Sequence, residues 1–302
     1  MKRFWVTAFL SICLLSCDSA EDRKGRFLLK GNTKLAEGDL KGAIKFYEEA
    51  IGVDKEFEDA WLNKGVAHQK LRNFDQAIWD FTQALRIRPD FPEAFYQRSL
   101  AHLDFGENYK AISDAESLIR LEPDHPKGHF LLGLAQTELK NYDQALQAFN
   151  TAVSMDGENP EPLANRATVK YYMGNFEEAL GDLDKAERLD PSESNIYNLR
   201  SLIFFEKGNF ESAIEEVDKA ISLQPQQAYY HNNRGLYKLF LGHLEEGIED
   251  INYSLKQNSR NLFALRNKGI YHSLKGEEET ARKYLQEVAD KDPEIPLVKD
   301  YL

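Results

Sequence analysis

Residues 174–191, GNFEEALGDLDKAERLDP, and residues 208–225, GNFESAIEEVDKAISLQP, are two versions of one phrase set 34 residues apart. The opening Gly-Asn-Phe suits a chain reversal, because glycine ends a helix with positive φ at no steric cost. The apolar residues that follow recur at helical spacing. The closing proline stops that helix, since it has no N–H with which to continue the hydrogen-bond ladder. Each phrase therefore reads as a turn and the second helix, B, of a two-helix unit whose first helix, A, lies just upstream.

Outward from these phrases, the same unit tiles residues 24–295 eight times without insertion or deletion, starting at Lys24, Glu58, Pro92, Pro126, Pro160, Ser194, Ala228 and Leu262. Position 8 of the unit is always small: Gly31, Gly65, Ser99, Gly133, Ala167, Ser201, Gly235 and Gly269. Position 20 is alanine except at Gly247. Small residues at both places let helices A and B approach closely, and a large residue at position 24 (Tyr47, Phe81, Phe149, Leu183, Val217, Ile251, Leu285) fills the space beside them. Repeat 3 instead has Ala115 at position 24 and Leu118 at position 27, a swap that keeps volume. Its Tyr109 falls one place later than Phe74 or Tyr142, which predicts an irregular turn there. One unit cannot bury its own apolar face, so the units must stack.

A 34-residue, two-helix period with this register resembles the tetratricopeptide repeat (TPR) family. The resemblance implies an all-α, right-handed α-solenoid of eight helix-turn-helix repeats (24–57, 58–91, 92–125, 126–159, 160–193, 194–227, 228–261 and 262–295), with 296–302 as a C-terminal tail. It also implies a non-enzymatic, protein-binding role.

Position 7 is usually aliphatic in that family. Here it is Lys30, Lys64, Arg98, Leu132, Arg166, Arg200, Arg234 and Lys268. Wherever repeats 2, 3, 5, 6 and 7 carry a cation there, position 23 on helix B is acidic, and repeat 4 loses both charges together as Leu132 and Ala148. That covariation predicts structural ion pairs Lys64–Asp80, Arg98–Asp114, Arg166–Asp182, Arg200–Glu216 and Arg234–Asp250 inside single repeats.

In solenoids of this family helix A lines the concave surface, and positions 5, 9 and 12 share one face of it. The partner-binding groove is accordingly expected to use Tyr96, Leu100, Leu103, Phe130, Leu134, Tyr171, Tyr172, Leu202, Phe205, Asn232, Leu236 and Phe240. Exposure is expected at Tyr96, Phe130, Tyr171, Tyr172 and Phe240. A rim of Asp59, Glu93, Asp104, Glu138 and Glu161 with few bases points to a protein or peptide partner that brings apolar and basic residues. Some TPR domains clamp a peptide carboxylate with Lys, Asn, Asn, Lys and Arg; the matching places here are Leu28, Asn32, Asn63, Glu93 and Gln97, so all three cations are missing.

At the N-terminus, Lys2 and Arg3 precede an apolar run from Phe4 to Leu15, too short to span a bilayer. It ends in Leu14-Leu15-Ser16-Cys17, which resembles a bacterial lipobox: residues 1–16 read as a lipoprotein signal peptide, Cys17 as the lipidated cysteine and 17–23 as a short tether. Cys13 lies in the signal, leaving no pair for an internal disulfide.

A net charge of −12 argues against nucleic acid. No nucleophile, phosphate loop or metal-ligand spacing stands out, so no catalytic or metal site, cofactor or small-molecule substrate is expected. The residues point to a membrane-tethered protein–protein interaction adaptor in the bacterial cell envelope. The alternative is a structural or assembly subunit of an envelope secretion, pilus or cell-wall machine.

Overall fold

The computed structural model describes residues 19–302, and every regular element among them is an α-helix. The lipobox and Cys17 lie outside the described residues. The chain divides after Pro123 into two compact units. The first holds repeats 1 to 3 as α1 (Ala20–Ala36) and α2 (Leu40–Val53), α3 (Glu58–Lys70) and α4 (Phe74–Ile87), α5 (Pro92–Phe105) and α6 (Asn108–Leu121). The second holds repeats 4 to 8 as α7 (Pro126–Glu138) and α8 (Tyr142–Met155), α9 (Pro160–Tyr172) and α10 (Phe176–Leu189), α11 (Ser194–Glu206) and α12 (Phe210–Leu223), α13 (Ala228–Phe240) and α14 (Leu244–Gln257), α15 (Leu262–Leu274) and α16 (Glu278–Lys291). A short α17 (Val298–Tyr301) follows.

Each A helix ends at one register place. Position 15 has positive φ in every repeat: Gly38, Arg72, Gly106, Lys140, Gly174, Gly208, Gly242 and Gly276. The left-handed residue lets the next amide reach back, as Asn175 N–H does to the Lys170 carbonyl at 2.9 Å. Repeat 3 obeys the same rule, contrary to the irregular turn expected there. Gly106 takes φ 81° and α6 begins at position 17 like the other B helices. Only the aromatic has moved, and Tyr109 projects into solvent, 77% exposed.

The small residues at position 8 meet the large ones at 24. A Cβ added to Gly65 would lie 2.5 Å from the Phe81 ring, and one added to Gly133 2.6 Å from Phe149. Phe81 and Phe149 are fully buried, as are Ala77 and Ala145 at position 20. In repeat 3, Ala115 and Leu118 are both buried, so the leucine fills the space the alanine leaves.

Two boundaries differ from expectation. Residues 20–23 belong to α1 rather than to an extended tether: Ser19 accepts from the Asp22 N–H, and the Asp22 carboxylate accepts from Ser19 N–H, which fixes the first turn. Residues 296–302 are also folded. Ile295 and Val298 are buried against Leu265 and Val288 at the end of repeat 8.

Candidate functional site

The cations at position 7 hold the helices together. Arg98 grips Asp114 through Nε and Nη2 at 2.8 and 2.6 Å, Arg166 grips Asp182 at 2.8 and 2.7 Å, and Arg234 grips Asp250 at 2.8 and 2.6 Å. Lys64 lies 3.3 Å from Asp80, and Arg200 donates to Glu216 at 3.1 Å. All five carboxylates are buried.

The same side chains also reach sixteen residues backward, to position 25 of the preceding B helix. Arg98 donates to Thr82, Arg166 to Asn150, Arg200 to Asp184 and Arg234 to Asp218, at 2.8–3.0 Å, and Lys64 lies 3.7 Å from Glu48. Each cation thus braces its own repeat and ties it to the one before. A second side chain at position 11 shares the carboxylate: the His68 ring with Asp80, and the lysines Lys170 with Asp182 and Lys238 with Asp250. Repeat 8 replaces the carboxylate by Tyr284, on which His272 stacks and over which Lys268 lies.

Burial would push the Asp182 and Asp250 carboxyls up. Hydrogen bonds from Arg166 and Lys170, and from Arg234 and Lys238, outweigh it and hold both below the usual aspartate value. A depressed folded value means stabilisation that is full above about pH 4, where an unfolded aspartate is ionised, and that drains away as pH falls through the folded values. Thermal unfolding should therefore show a Tm that drops below about pH 4, and Asp182→Asn should flatten that drop. An acid limb unchanged by the substitution would contradict the assignment.

The other residues expected in a groove lie on the A helices apart from the braces. In the first unit, Tyr96, Leu100 and Leu103 of α5 are half-buried. Asn32 and Asn63, two places of the clamp pattern, are engaged with each other at 3.1 Å, and Asn32 also accepts from the Tyr47 hydroxyl.

In the second unit three expected groove residues are not on the surface. Phe130 is only 5% exposed and packs on Phe149, with ring centroids 6.0 Å apart. Leu236 is buried in the repeat 7 core, and the buried Asn232 accepts from Asn267 Nδ2 at 3.0 Å. Their positions face the next repeat, so stacking covers them. Phe205 and Phe240 are half-buried in one aromatic cluster with Tyr237, and Leu134 and Leu202 are half-buried beside the cores of their repeats. Tyr172 is the exposed one at 55%, stacked on Tyr142 at 5.4 Å; Tyr171 beside it is half-buried.

Between α9 and α11 lies a recess of about 640 Å³. Tyr171, Tyr172 and Leu202 form its apolar wall, and Asn165, Asn195 and Asn198 contribute amides. Asn195 Oδ1 accepts from the Tyr229 and Tyr230 hydroxyls, Asn198 Oδ1 accepts from Asn233, and Asn165 Nδ2 donates to the Glu161 carbonyl. Those bonds leave Nδ2 of Asn195 and Asn198 and Oδ1 of Asn165 without a partner among the described residues. Glu161, Asp190 and Glu193 line the recess, with no lysine or arginine among its lining residues. Burial, and then the charge of Glu193, push the Glu161 carboxyl above its ordinary value.

The recess amides of Asn165 and Asn195, at positions 6 and 2 of their repeats, and the backward reach of position 7 were both missed in the sequence. The repeat register held the signal, because residues sixteen apart in either direction face the same cation.

Tetratricopeptide repeat family models match residues 26–57, 58–91, 96–160 and 165–228. No curated protein matches the chain. Among solved structures, a tetratricopeptide repeat protein from Parabacteroides merdae is similar with TM-score 0.69 and 19% identity, over 82% of this chain and 98% of that one. A chain of the APC/C hetero-tetramer Cut9–Hcn1 is similar with TM-score 0.71 and 16% identity, over 95% of this chain and 56% of that one. Pseudomonas aeruginosa pilF is similar with TM-score 0.59 and 17% identity, over 70% and 96%. At these identities the likeness is one of fold. With the 34-residue register, the helix pairs and the family matches in agreement, the chain belongs to the tetratricopeptide repeat family.

Proposed function

We propose that the protein is a non-enzymatic adaptor that binds an extended peptide segment, carrying apolar and basic residues, on the helix A face of repeats 5 and 6. Proteins of this family are generally scaffolds that bind protein or peptide partners. The observation that supports this particular surface is the set of unused amide groups in the α9–α11 recess. An extended peptide offers alternating N–H and C=O groups, which match amide side chains without regard to sequence. The tyrosine wall accepts an apolar side chain, and the base-free carboxylates favour a lysine or arginine.

Peptides selected from a random library against the chain test this. The selected peptides should be rich in apolar and basic residues. Asn165→Ala/Tyr172→Ala should weaken them at least tenfold while leaving Tm within about 2 °C, since Tyr172 is exposed. Equal affinity for wild type and variant would sink the proposal.

The second part of the reading is a lipid anchor on Cys17, which places the repeats at a bacterial membrane within the cell envelope. Its support is the Leu-Leu-Ser-Cys run after the apolar stretch. Cys17→Ser should move the protein from the membrane fraction to the soluble one; retention on the membrane would refute the anchor.

A further inference from the structure

Residues 295–302 cross from the end of repeat 8 to the helix A face. Ile295 and Val298 are buried in the end cap with Leu265 and Val288. Leu297 and Tyr301 pack elsewhere, against the aromatic cluster that holds Phe205, Tyr237 and Phe240. The Tyr301 and Phe240 rings meet edge to face, 6.5 Å apart. The segment has two separable attachments, one closing the array and one covering a surface that repeats 6, 7 and 8 build together.

Beside that surface lies an arginine unlike the braces. The Arg266 side chain, on α15, is 6% exposed, yet no carboxylate of a described residue comes within ion-pair distance. Its Nε donates to Asn267 Oδ1 at 2.9 Å, and its Nη1 donates to the Pro296 carbonyl at 3.2 Å. Burial lowers its pKa to about 10, with Tyr237, Glu206 and Tyr171 acting in the opposite sense. The Arg266 guanidinium also lies over the Phe263 ring, 5.5 Å from its centroid, but its hydrogen bonds go only to neutral oxygens, so it is less well stabilised than Arg98, Arg166 and Arg234, which each grip a carboxylate. The covering segment is itself constrained. Leu297 has φ 65°, a left-handed conformation that a leucine keeps only where its surroundings hold it.

We propose that the helix A face of repeats 6 to 8 is a second peptide-binding site, for a segment that brings a carboxylate to Arg266 and an aromatic or aliphatic side chain to Phe240, and that residues 296–302 occupy it in cis until such a segment displaces them. The idea shares with the proposed function only the premise that helix A faces bind peptides; the surface and the ligand charge differ. A tethered occupant has an effective concentration near the millimolar range, so a partner must bind the open site well to compete.

The full-length chain can be titrated with a fluorescent synthetic peptide of residues 294–302, followed by anisotropy. Leu297→Ala/Tyr301→Ala weakens the cover and leaves Ile295 and Val298 in the end cap. The variant should bind the peptide at least tenfold more tightly than the wild type, with helix content and Tm nearly unchanged. Adding Arg266→Gln to the variant should return binding to the wild-type level. Equal binding by wild type and variant would overturn the proposal. So would a loss of Tm in the variant as large as that caused by Val298→Ala, because the segment would then be only an end cap. Tyr172→Ala should not alter this titration, so failure here and failure of the repeat 5–6 recess are read separately.

Discussion

Replacing Asp250 by alanine is expected to lower stability by about 3–5 kcal/mol, because it removes the buried carboxylate that Arg234 and Lys238 share and leaves each with only an exposed partner. Asp250 is 7% exposed and takes both Arg234 Nε and Nη2, with Lys238 at 3.0 Å. Removing it leaves Arg234 with Asp218 only, a carboxylate half in water. Repeat 4 shows how the chain avoids that penalty: Leu132 and Ala148 occupy the same two positions, both neutral. Arg234→Leu/Asp250→Ala copies that solution. The double variant should lose much less than Asp250→Ala alone, because Lys238 keeps Glu246 and Asp218 returns to solvent. Urea unfolding of the two single variants and the double completes the cycle. Additive losses would mean that Arg234 and Asp250 act independently.

The second large effect is expected at Phe81. Its ring lies over Gly65 and is fully buried, so Phe81→Ala should cost about 3–5 kcal/mol through lost burial and the cavity left behind. Repeat 3 again supplies the remedy, since Ala115 at position 24 is compensated by Leu118 at position 27. In repeat 2 position 27 is Ala84, also buried. Phe81→Ala/Ala84→Leu should therefore recover most of the loss and fall within about 1.5 kcal/mol of wild type, as volume-conserving changes do. A double variant no more stable than Phe81→Ala would mean that the two slots do not share one space.

Both expectations use the repeat register as their guide, and the register was legible because each repeat is an independent reading of one physical problem. Small residues at positions 8 and 20 recur because two helix backbones must touch. The silent pair Leu132 and Ala148 revealed the brace because both charges vanish together. The binding face was harder to read. A residue at position 5 or 9 can face solvent or the next repeat, and helical spacing alone does not separate the two. Phe130 and Leu236 pack against Val169 and Ile270 of the next repeat, whereas Tyr172, one place beyond the stripe, stayed out. Arg266 carried no periodic signal at all. One of its hydrogen-bond acceptors, the Pro296 carbonyl, lies outside the repeats, and the sequence pattern has no sister copy against which to weigh it.

On the proposed function, the cations of helix A are braces and partners bind the amide and tyrosine surface between α9 and α11. Hydrogen–deuterium exchange, with and without a saturating selected peptide, tests it most directly. Protection is expected in Pro160–Tyr172 and Ser194–Glu206. Protection confined to the B helices Phe176–Leu189 and Phe210–Leu223 would contradict it.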